Sequence, residues 1–311
     1  MPVFPDHVLR VDQFTRPILD DLLNMTGQVR RDPAGEYRLR GRILATLFYE
    51  PSTRTRMSFE SAMLRLGGQV ISAEAAADTS SATKGETLED TARMIASYAD
   101  AIVVRHPVAG AAEHLAAASH VPVINAGDGP REHPTQALLD IYTIHHELGR
   151  IDDLTVTLAG DLLYGRAPRS LAMLLGLTRN TRVILCAPDA LGMAPDVLER
   201  LTEQGVAFEV EPDLLKAASR SDVVYMTRIQ KERFPSAESY NAVRGSYVFG
   251  MEHVEAMPEK GIIMHPLPRV DEIDHAVDAS PRAAYFRQAK NGVYVRMAIL
   301  DRLLRHHRRV D

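Results

Sequence analysis

The apolar positions of this chain fall into two rhythms. Short unbroken apolar runs, such as 43–48, 101–104 and 121–125, read as strands buried on both faces. Between them, apolar residues recur every three or four positions. After Phe48, the residues Phe59, Ala62, Met63 and Leu66 stand at i, i+3, i+4 and i+7, which predicts a helix over 53–66. The stretch 69–72 is short and apolar, and 87–98 and 110–118 read as helices. A long helix follows over 133–148, with Pro134 in its first turn, where proline is tolerated. The same rhythm then restarts. Strands are expected at 155–159, 182–187, 207–210, 222–226 and 262–264, with helices within 165–177, 196–204 and 213–218. A last helix over about 282–306 carries Val293, Met297, Leu300 and Leu304 at helical spacing.

This alternation predicts the α/β class: two similar-sized domains, each a parallel sheet flanked by helices, with a long C-terminal helix. Length agrees, because 311 residues exceed one typical core of about 150 residues. The turn Gly149-Arg150-Ile151-Asp152 puts the boundary between 1–150 and 151–311, and leaves the last helix free to pack on either domain. No solenoid repeat and no low-complexity tract interrupts the pattern.

Composition narrows the classes. Hydrophobic content of 45% and charged content of 25% are those of an ordinary soluble globular protein. A net charge of −5 gives no support for nucleic-acid or membrane partners. The single cysteine, Cys186, follows the apolar run Val183-Ile184-Leu185 and reads as a small buried residue, which excludes an internal disulfide framework or a cysteine zinc site. No metal-ligand spacing appears, and no cofactor is expected. Asp6, Arg10 and Asp12 interrupt any secretory pattern at the N-terminus, and no stretch reaches membrane-spanning length, so a cytoplasmic location is expected.

Candidate chemistry collects where predicted strands end. In open parallel sheets, that edge is where ligands bind. The run Ser52-Thr53-Arg54-Thr55-Arg56 follows the first strand and opens the helix over 53–66, so backbone N–H groups, hydroxyls and two guanidiniums are expected to converge on an anion. Later strands lead into Arg105-His106-Pro107, His133-Pro134-Thr135-Gln136, Asp161 to Arg166, Thr227-Arg228-Ile229-Gln230 and His265-Pro266-Leu267-Pro268. Arg54, Arg105, Arg166 and Arg228 are therefore expected on the carboxyl edges of two sheets. That much positive charge calls for polyanionic ligands. The polar stretch 78–87, with Ser80 and Lys84, reads as a loop able to reach an anion.

These motifs carry a family resemblance. Ser52-Thr53-Arg54-Thr55-Arg56 resembles the carbamoyl phosphate motif of the aspartate/ornithine carbamoyltransferases. His133-Pro134-Thr135-Gln136 and His265-Pro266-Leu267-Pro268 resemble the aspartate branch, since Thr135 and Pro266 stand where the ornithine branch carries cysteine. The resemblance runs from about Arg10 to Leu304. It implies a carbamoyl-phosphate domain followed by an aspartate domain. It also implies transfer of the carbamoyl group of carbamoyl phosphate to the amino group of L-aspartate, giving N-carbamoyl-L-aspartate and phosphate in de novo pyrimidine (UMP) synthesis. A homotrimer with shared sites is implied as well, and a separate regulatory chain or larger assembly is left open.

Residue by residue, the resemblance implies that Ser52, Thr53, Arg54, Thr55 and Arg105 hold the phosphate, with Ser80 and Lys84 reaching in from the neighbouring subunit. Thr55, Arg105 and His133 would point at the carbamoyl oxygen. Gln136 and the backbone carbonyls of Pro266 and Leu267 would fix the carbamoyl NH2, with Pro268 keeping the loop's shape. Arg166, Arg228 and Gln230, assisted by Lys84, would take the carboxylates of aspartate. The catalytic set is Arg54, Thr55, Arg105 and His133. Their loss would have favoured a silent homologue, and all four are present. A nucleotide-dependent dehydrogenase could share the sheet architecture, but no Gly-x-Gly-x-x-Gly follows a predicted strand. Pro168, close behind Arg166, puts the local geometry of that helix start in question.

Overall fold

The computed structural model describes residues 2–32, 38–74, 85–230, 234, 236–241 and 243–305. Ser80 and Lys84 lie outside the described residues. The chain forms two compact units. The first comprises Met1–Leu138 and Asn291–Asp311, the second Leu139–Lys290. The chain passes from one to the other inside two helices, α5 (Pro134–Leu148) and α11 (Tyr285–Leu304).

In the first unit the strands β1 (Ile43–Phe48), β2 (Gln69–Glu74), β3 (Ala101–His106) and β4 (Val123–Asp128) form one sheet in the order β2-β1-β3-β4. Every pairing is parallel, with Leu44 opposite Val70 on one side and Ala101 on the other. The crossovers are α2 (Thr53–Arg65), α3 (Leu88–Ala96) and α4 (Ala111–Ala118). Ala45, Leu47, Ile102, Val104, Leu115 and Val123 form part of its core. Burial from both faces explains why β1, β3 and β4 read as near-continuous apolar runs, while the edge strand β2 stays partly exposed. Thr46 is the polar exception. Its hydroxyl lies 3.0 Å from Glu60 Oε1 and 2.9 Å from Ser72 Oγ, so the buried group is satisfied.

Three features differ from the sequence reading. Helix α1 (Arg16–Arg31) was not anticipated, although Pro17 sits in its first turn and Ile18, Leu19, Leu22, Leu23 and Val29 line its buried face. Val8 adds a short parallel bridge beside β4, donating to Val123 O at 2.9 Å and accepting from Asn125 N at 2.8 Å. Strand β4 also runs three residues past the 121–125 run, through Asp128, and the turn begins at Gly129-Pro130.

The second unit repeats the plan. Strands β5 (Thr155–Ala159), β6 (Arg182–Cys186), β7 (Ala207–Val210), β8 (Val223–Met226) and β9 (Ile262–Met264) pair in parallel in the order β7-β6-β5-β8-β9. Helices α6 (Arg166–Leu175), α7 (Pro195–Glu203) and α8 (Leu214–Ser219) connect them, followed by α9 (Ala237–Asn241) and α10 (Met251–Ala256). Pro168 is the third residue of α6 and leaves it unbroken, because the N–H that proline lacks has no intrahelical partner in the first turn. Cys186 is buried in the core with Ile184, Val224 and Tyr285, and burial pushes its thiol up to about 12.

At the end of β5, Gly160 adopts a φ of +107°, and a Cβ there would overlap the Thr227 carbonyl oxygen. This close approach brings the ends of β5 and β8 together. Gly160→Ala is expected to lower the denaturation midpoint by the equivalent of roughly 2 kcal/mol or more, read in a urea titration. An unchanged midpoint would mean that the backbone relaxes at no cost.

Candidate active site

On the first unit, β1 ends at Phe48 and the chain turns into α2 with Ser52 at the N-cap position. The Ser52 hydroxyl makes no capping hydrogen bond, so the first turn's N–H groups are not capped by it. Thr53, Arg54 and Thr55 form that turn. Arg56 departs from the expected convergence of two guanidiniums, since its head lies 3.7 Å from Glu60 and 3.4 Å from Ser72 Oγ. Arg54 is the motif's arginine at the helix start.

Arg105, near the end of β3, is 9% exposed, and its Nε donates to Ala126 O at 2.9 Å. Its carbonyl accepts from Tyr49 N at 2.9 Å, and the Tyr49 ring lies 4.7 Å from that of His106. These contacts tie the ends of β1, β3 and β4 together and aim a largely desolvated cation. A nearby anion would offset the cost of burying it.

His133 and Gln136 begin α5, are 4% and 8% exposed, and are reached through a pinned loop. The His133 carbonyl accepts from Gln136 N at 2.9 Å and Ala137 N at 3.2 Å, so the helix starts on this residue. The Asp128 carboxylate accepts from Gly110 N at 2.9 Å, Asn125 Nδ2 at 3.1 Å and Glu132 N at 3.2 Å. Gly129 N donates to His106 O at 2.8 Å. Glu132, beside His133, accepts from Val11 N at 2.7 Å. Burial pushes the Glu132 carboxyl up to about 7, with Asp12 and Asp128 adding to the effect and the Val11 N–H and Arg131 opposing it. Ser52, Thr53, Arg54, Thr55, Arg105, His133 and Gln136 thus share the carboxyl edge of one sheet.

On the second unit, Asp161 organises the carboxyl edge. Its carboxylate accepts from Tyr164 N at 2.9 Å and Gln230 N at 3.3 Å. One buried residue therefore holds the loop that leads to Arg166, the first residue of α6, and the loop that carries Arg228 and Gln230 after β8. Burial raises the Asp161 carboxyl, against these N–H groups and the charge of Arg228. Thr227 fixes the start of the second loop by donating to Ala159 O from Oγ1 at 2.9 Å and from N at 2.8 Å. Gly165 passes so close to Asp161 that a Cβ there would overlap the Asp161 carbonyl. Pro266, Leu267 and Pro268 follow β9 on the same edge, with Leu267 at a φ of +55°.

The expected arginines therefore stand on two carboxyl edges, Arg54 and Arg105 on one, Arg166 and Arg228 on the other. The sequence alone assigns no role to the loop-holding carboxylates Asp128, Glu132 and Asp161; the signal for Asp128 and Asp161 is their place at or just after a strand end. Each unit presents oriented amides and guanidiniums suited to a small anion. Two parallel α/β units, each with an anion-suited carboxyl edge, place the chain in the class of α/β proteins that bind small anionic ligands.

The comparisons narrow the class. A family model described as aspartate/ornithine carbamoyltransferase, carbamoyl-P binding domain, matches residues 6–146, and one described as the Asp/Orn binding domain matches residues 152–303. The chain belongs to the aspartate/ornithine carbamoyltransferase family. It is 50% identical over 303 residues to aspartate carbamoyltransferase 1, chloroplastic, of Pisum sativum, covering 96% of this chain and 78% of that one. It is 52% identical over 266 residues to the aspartate carbamoyltransferase catalytic subunit of Methanocaldococcus jannaschii, covering 86% of each. The crystal structure of aspartate transcarbamoylase from Trypanosoma cruzi in complex with carbamoyl phosphate and aspartate superposes with a TM-score of 0.90 at 43% identity, covering 96% of both chains.

Glu132 gives the first unit a measurable pH signature. Its folded carboxyl, at about 7, lies above its ordinary value of 4.5, so the folded state holds the proton more tightly. The associated stability is complete below pH 4.5 and is lost as pH rises through about 7. Glu132→Gln removes this term, worth roughly 3 kcal/mol, while keeping an acceptor for Val11 N. The variant is expected to melt above the wild type at pH 8, with the gap closing at pH 5. A gap that widens on acidification would refute the assignment.

Proposed function

We propose that the chain transfers the carbamoyl group of carbamoyl phosphate to the amino group of L-aspartate, giving N-carbamoyl-L-aspartate and phosphate, a step of de novo pyrimidine synthesis. The observation that carries this reading is the helix start at Ser52–Thr55, presented beside the anchored Arg105 on one carboxyl edge. Family membership and the T. cruzi relative's complex with both substrates support it.

In this reading the residues up to about 150 form the carbamoyl-phosphate domain and 151–311 the aspartate domain, with the end of the last helix belonging to the first compact unit. Ser52, Thr53, Arg54, Thr55 and Arg105 hold the phosphate, through charge-assisted hydrogen bonds worth roughly 1.5–3 kcal/mol each. Thr55, Arg105 and His133 donate toward the carbamoyl oxygen. Gln136 and the carbonyls of Pro266 and Leu267 accept from the carbamoyl NH2, and Pro268 shapes their loop. Arg166, Arg228 and Gln230 take the aspartate carboxylates. Ser80 and Lys84 reach the site from the neighbouring subunit of a homotrimer, and the enzyme works in the cytoplasm.

The chemistry then needs little beyond orientation and polarisation. The aspartate amine attacks the carbamoyl carbon, and negative charge grows on the carbonyl oxygen. Donors already aimed at that oxygen stabilise the charge without reorganising. The C–O bond to phosphate breaks as the carbonyl reforms, and the leaving phosphate accepts the proton from the amine. Holding two reactants in line supplies on the order of 7–11 kcal/mol, which removes the need for a strong protein base.

Incubation with carbamoyl phosphate should yield carbamoylated aspartate, and no product when ornithine replaces aspartate. Product from ornithine alone would overturn the acceptor assignment. Arg54→Ala is expected to cut turnover about 100-fold or more without changing the assembly. Arg228→Ala should raise the aspartate KM about tenfold or more, and normal kinetics in either variant would remove that residue from its role. Native mass measurement should give three times the 34.4 kDa of the chain, and a monomer would sink the shared-site reading.

A further inference from the structure

The loop after β9 is held by a chain of buried polar groups that the mechanism above does not use. His265 is 1% exposed. Its backbone N donates to Gln288 Oε1 at 2.9 Å. Its ring Nδ1 accepts from Leu267 N at 2.7 Å, and its Nε2 lies 2.7 Å from Glu272 Oε1. An accepting Nδ1 leaves the proton on Nε2, which therefore donates to Glu272. The other Glu272 oxygen accepts from Val270 N at 3.0 Å and Asp271 N at 3.1 Å. Burial works against the Glu272 carboxylate, yet the hydrogen bond from His265 and the backbone N–H groups hold it below its ordinary range. Behind His265, Gln288 Nε2 donates to Asp140 Oδ1 at 2.7 Å, and Tyr225 Oη donates to Asp140 Oδ2 at 2.8 Å. Asp140, Tyr225 and Gln288 are all buried.

The backbone from 265 to 271 is thus tied at four of its N–H groups: 265, 267, 270 and 271. Leu267 needs such a tie. Its φ of +55° is a left-handed conformation that a branched side chain adopts only when its surroundings impose it. The tie falls on the N–H of Leu267, the other half of the peptide unit whose carbonyl belongs to Pro266.

We propose that His265, oriented by Glu272, is a positioning residue for the main-chain carbonyls of Pro266 and Leu267, and thereby sets the preference for an acyl phosphate bearing NH2 over one bearing a methyl group. The inference rests on the role given to those carbonyls under the proposed function. The two ring nitrogens do different jobs, so two substitutions separate them. His265→Asn keeps an acceptor near the place of Nδ1. His265→Gln keeps a donor near the place of Nε2 and withdraws the acceptor from Leu267 N.

The test compares the KM for carbamoyl phosphate with the inhibition constant of acetyl phosphate, which carries CH3 in place of NH2. Melting temperatures are recorded alongside. The wild type should favour carbamoyl phosphate. His265→Gln should lose about tenfold of that preference, the worth of roughly one hydrogen bond, while acetyl phosphate binds it as before. His265→Asn should retain most of it. A purely structural role would weaken both ligands together or neither. Should His265→Gln show no cooperative melt, Glu272→Asp, which draws the carboxylate away from His265, is read in the same way. A wild-type preference that survives in the Gln variant, or in the Asp variant where that one is used, overturns the positioning role and leaves the carbonyl assignment standing. A wild type with no preference overturns the carbonyl assignment, and this inference with it.

Discussion

Parallel pairing is the constraint from which the rest of this molecule follows. A parallel neighbour requires the chain to cross back over the sheet, here mostly through a helix, before the next strand begins. Each such helix starts where a strand has just ended, with unsatisfied N–H groups and the positive end of its dipole. All strand ends of a sheet therefore gather on one edge beside helix starts. The opposite edges are closed by a repeated device. Asp100, just before β3, accepts from the first amide of β1 at 2.8 Å and pairs with Arg42, and Asp222, just before β8, accepts from the first amide of β5 at 2.8 Å and pairs with Arg150. In both units the carboxylate before a strand closes its neighbour's start, and the chemistry is left to the other end.

On the carboxyl edges, the buried carboxylates do a job that the exposed motifs conceal. Asp128, Asp161 and Glu272 each accept from two or more amides of loops that carry candidate site residues. A buried carboxylate is costly alone, and backbone N–H donors meet most of that cost. Because these acids accept from backbone amides, their effect is to shape the loops that lead to the arginines.

Much of this was legible in the sequence, and the reasons differ by feature. Strands β1, β5 and β9 matched their apolar runs because strands buried on both faces cannot alternate, whereas β7 matched its run as a largely exposed edge strand. The arginines fell on the expected edges, because parallel topology fixes where a residue just after a strand must lie. Helix α1 carried its signal in Pro17 and the spacing of Ile18, Leu22 and Val29, but it precedes the first strand and the strand–helix alternation did not point to it. The direction of Arg56 was legible in part, since Glu60 stands four residues on in the same helix, while Ser72 comes within reach only after β2 pairs with β1. The loop pins were hidden for a similar reason. Asp161 meets Gln230, and Glu132 meets Val11, across long stretches of chain that only the finished sheets bring together.

The loop after β9 has one more consequence, which concerns heredity. A main-chain carbonyl is common to every residue, so no codon change deletes the acceptors of Pro266 and Leu267. Substitution can only displace them. The recognition they offer is exposed to mutation indirectly, through His265 and the groups that hold it. A lineage could exchange the Leu267 side chain many times and keep the acceptors, while one change at a buried ring that no substrate touches would misplace them.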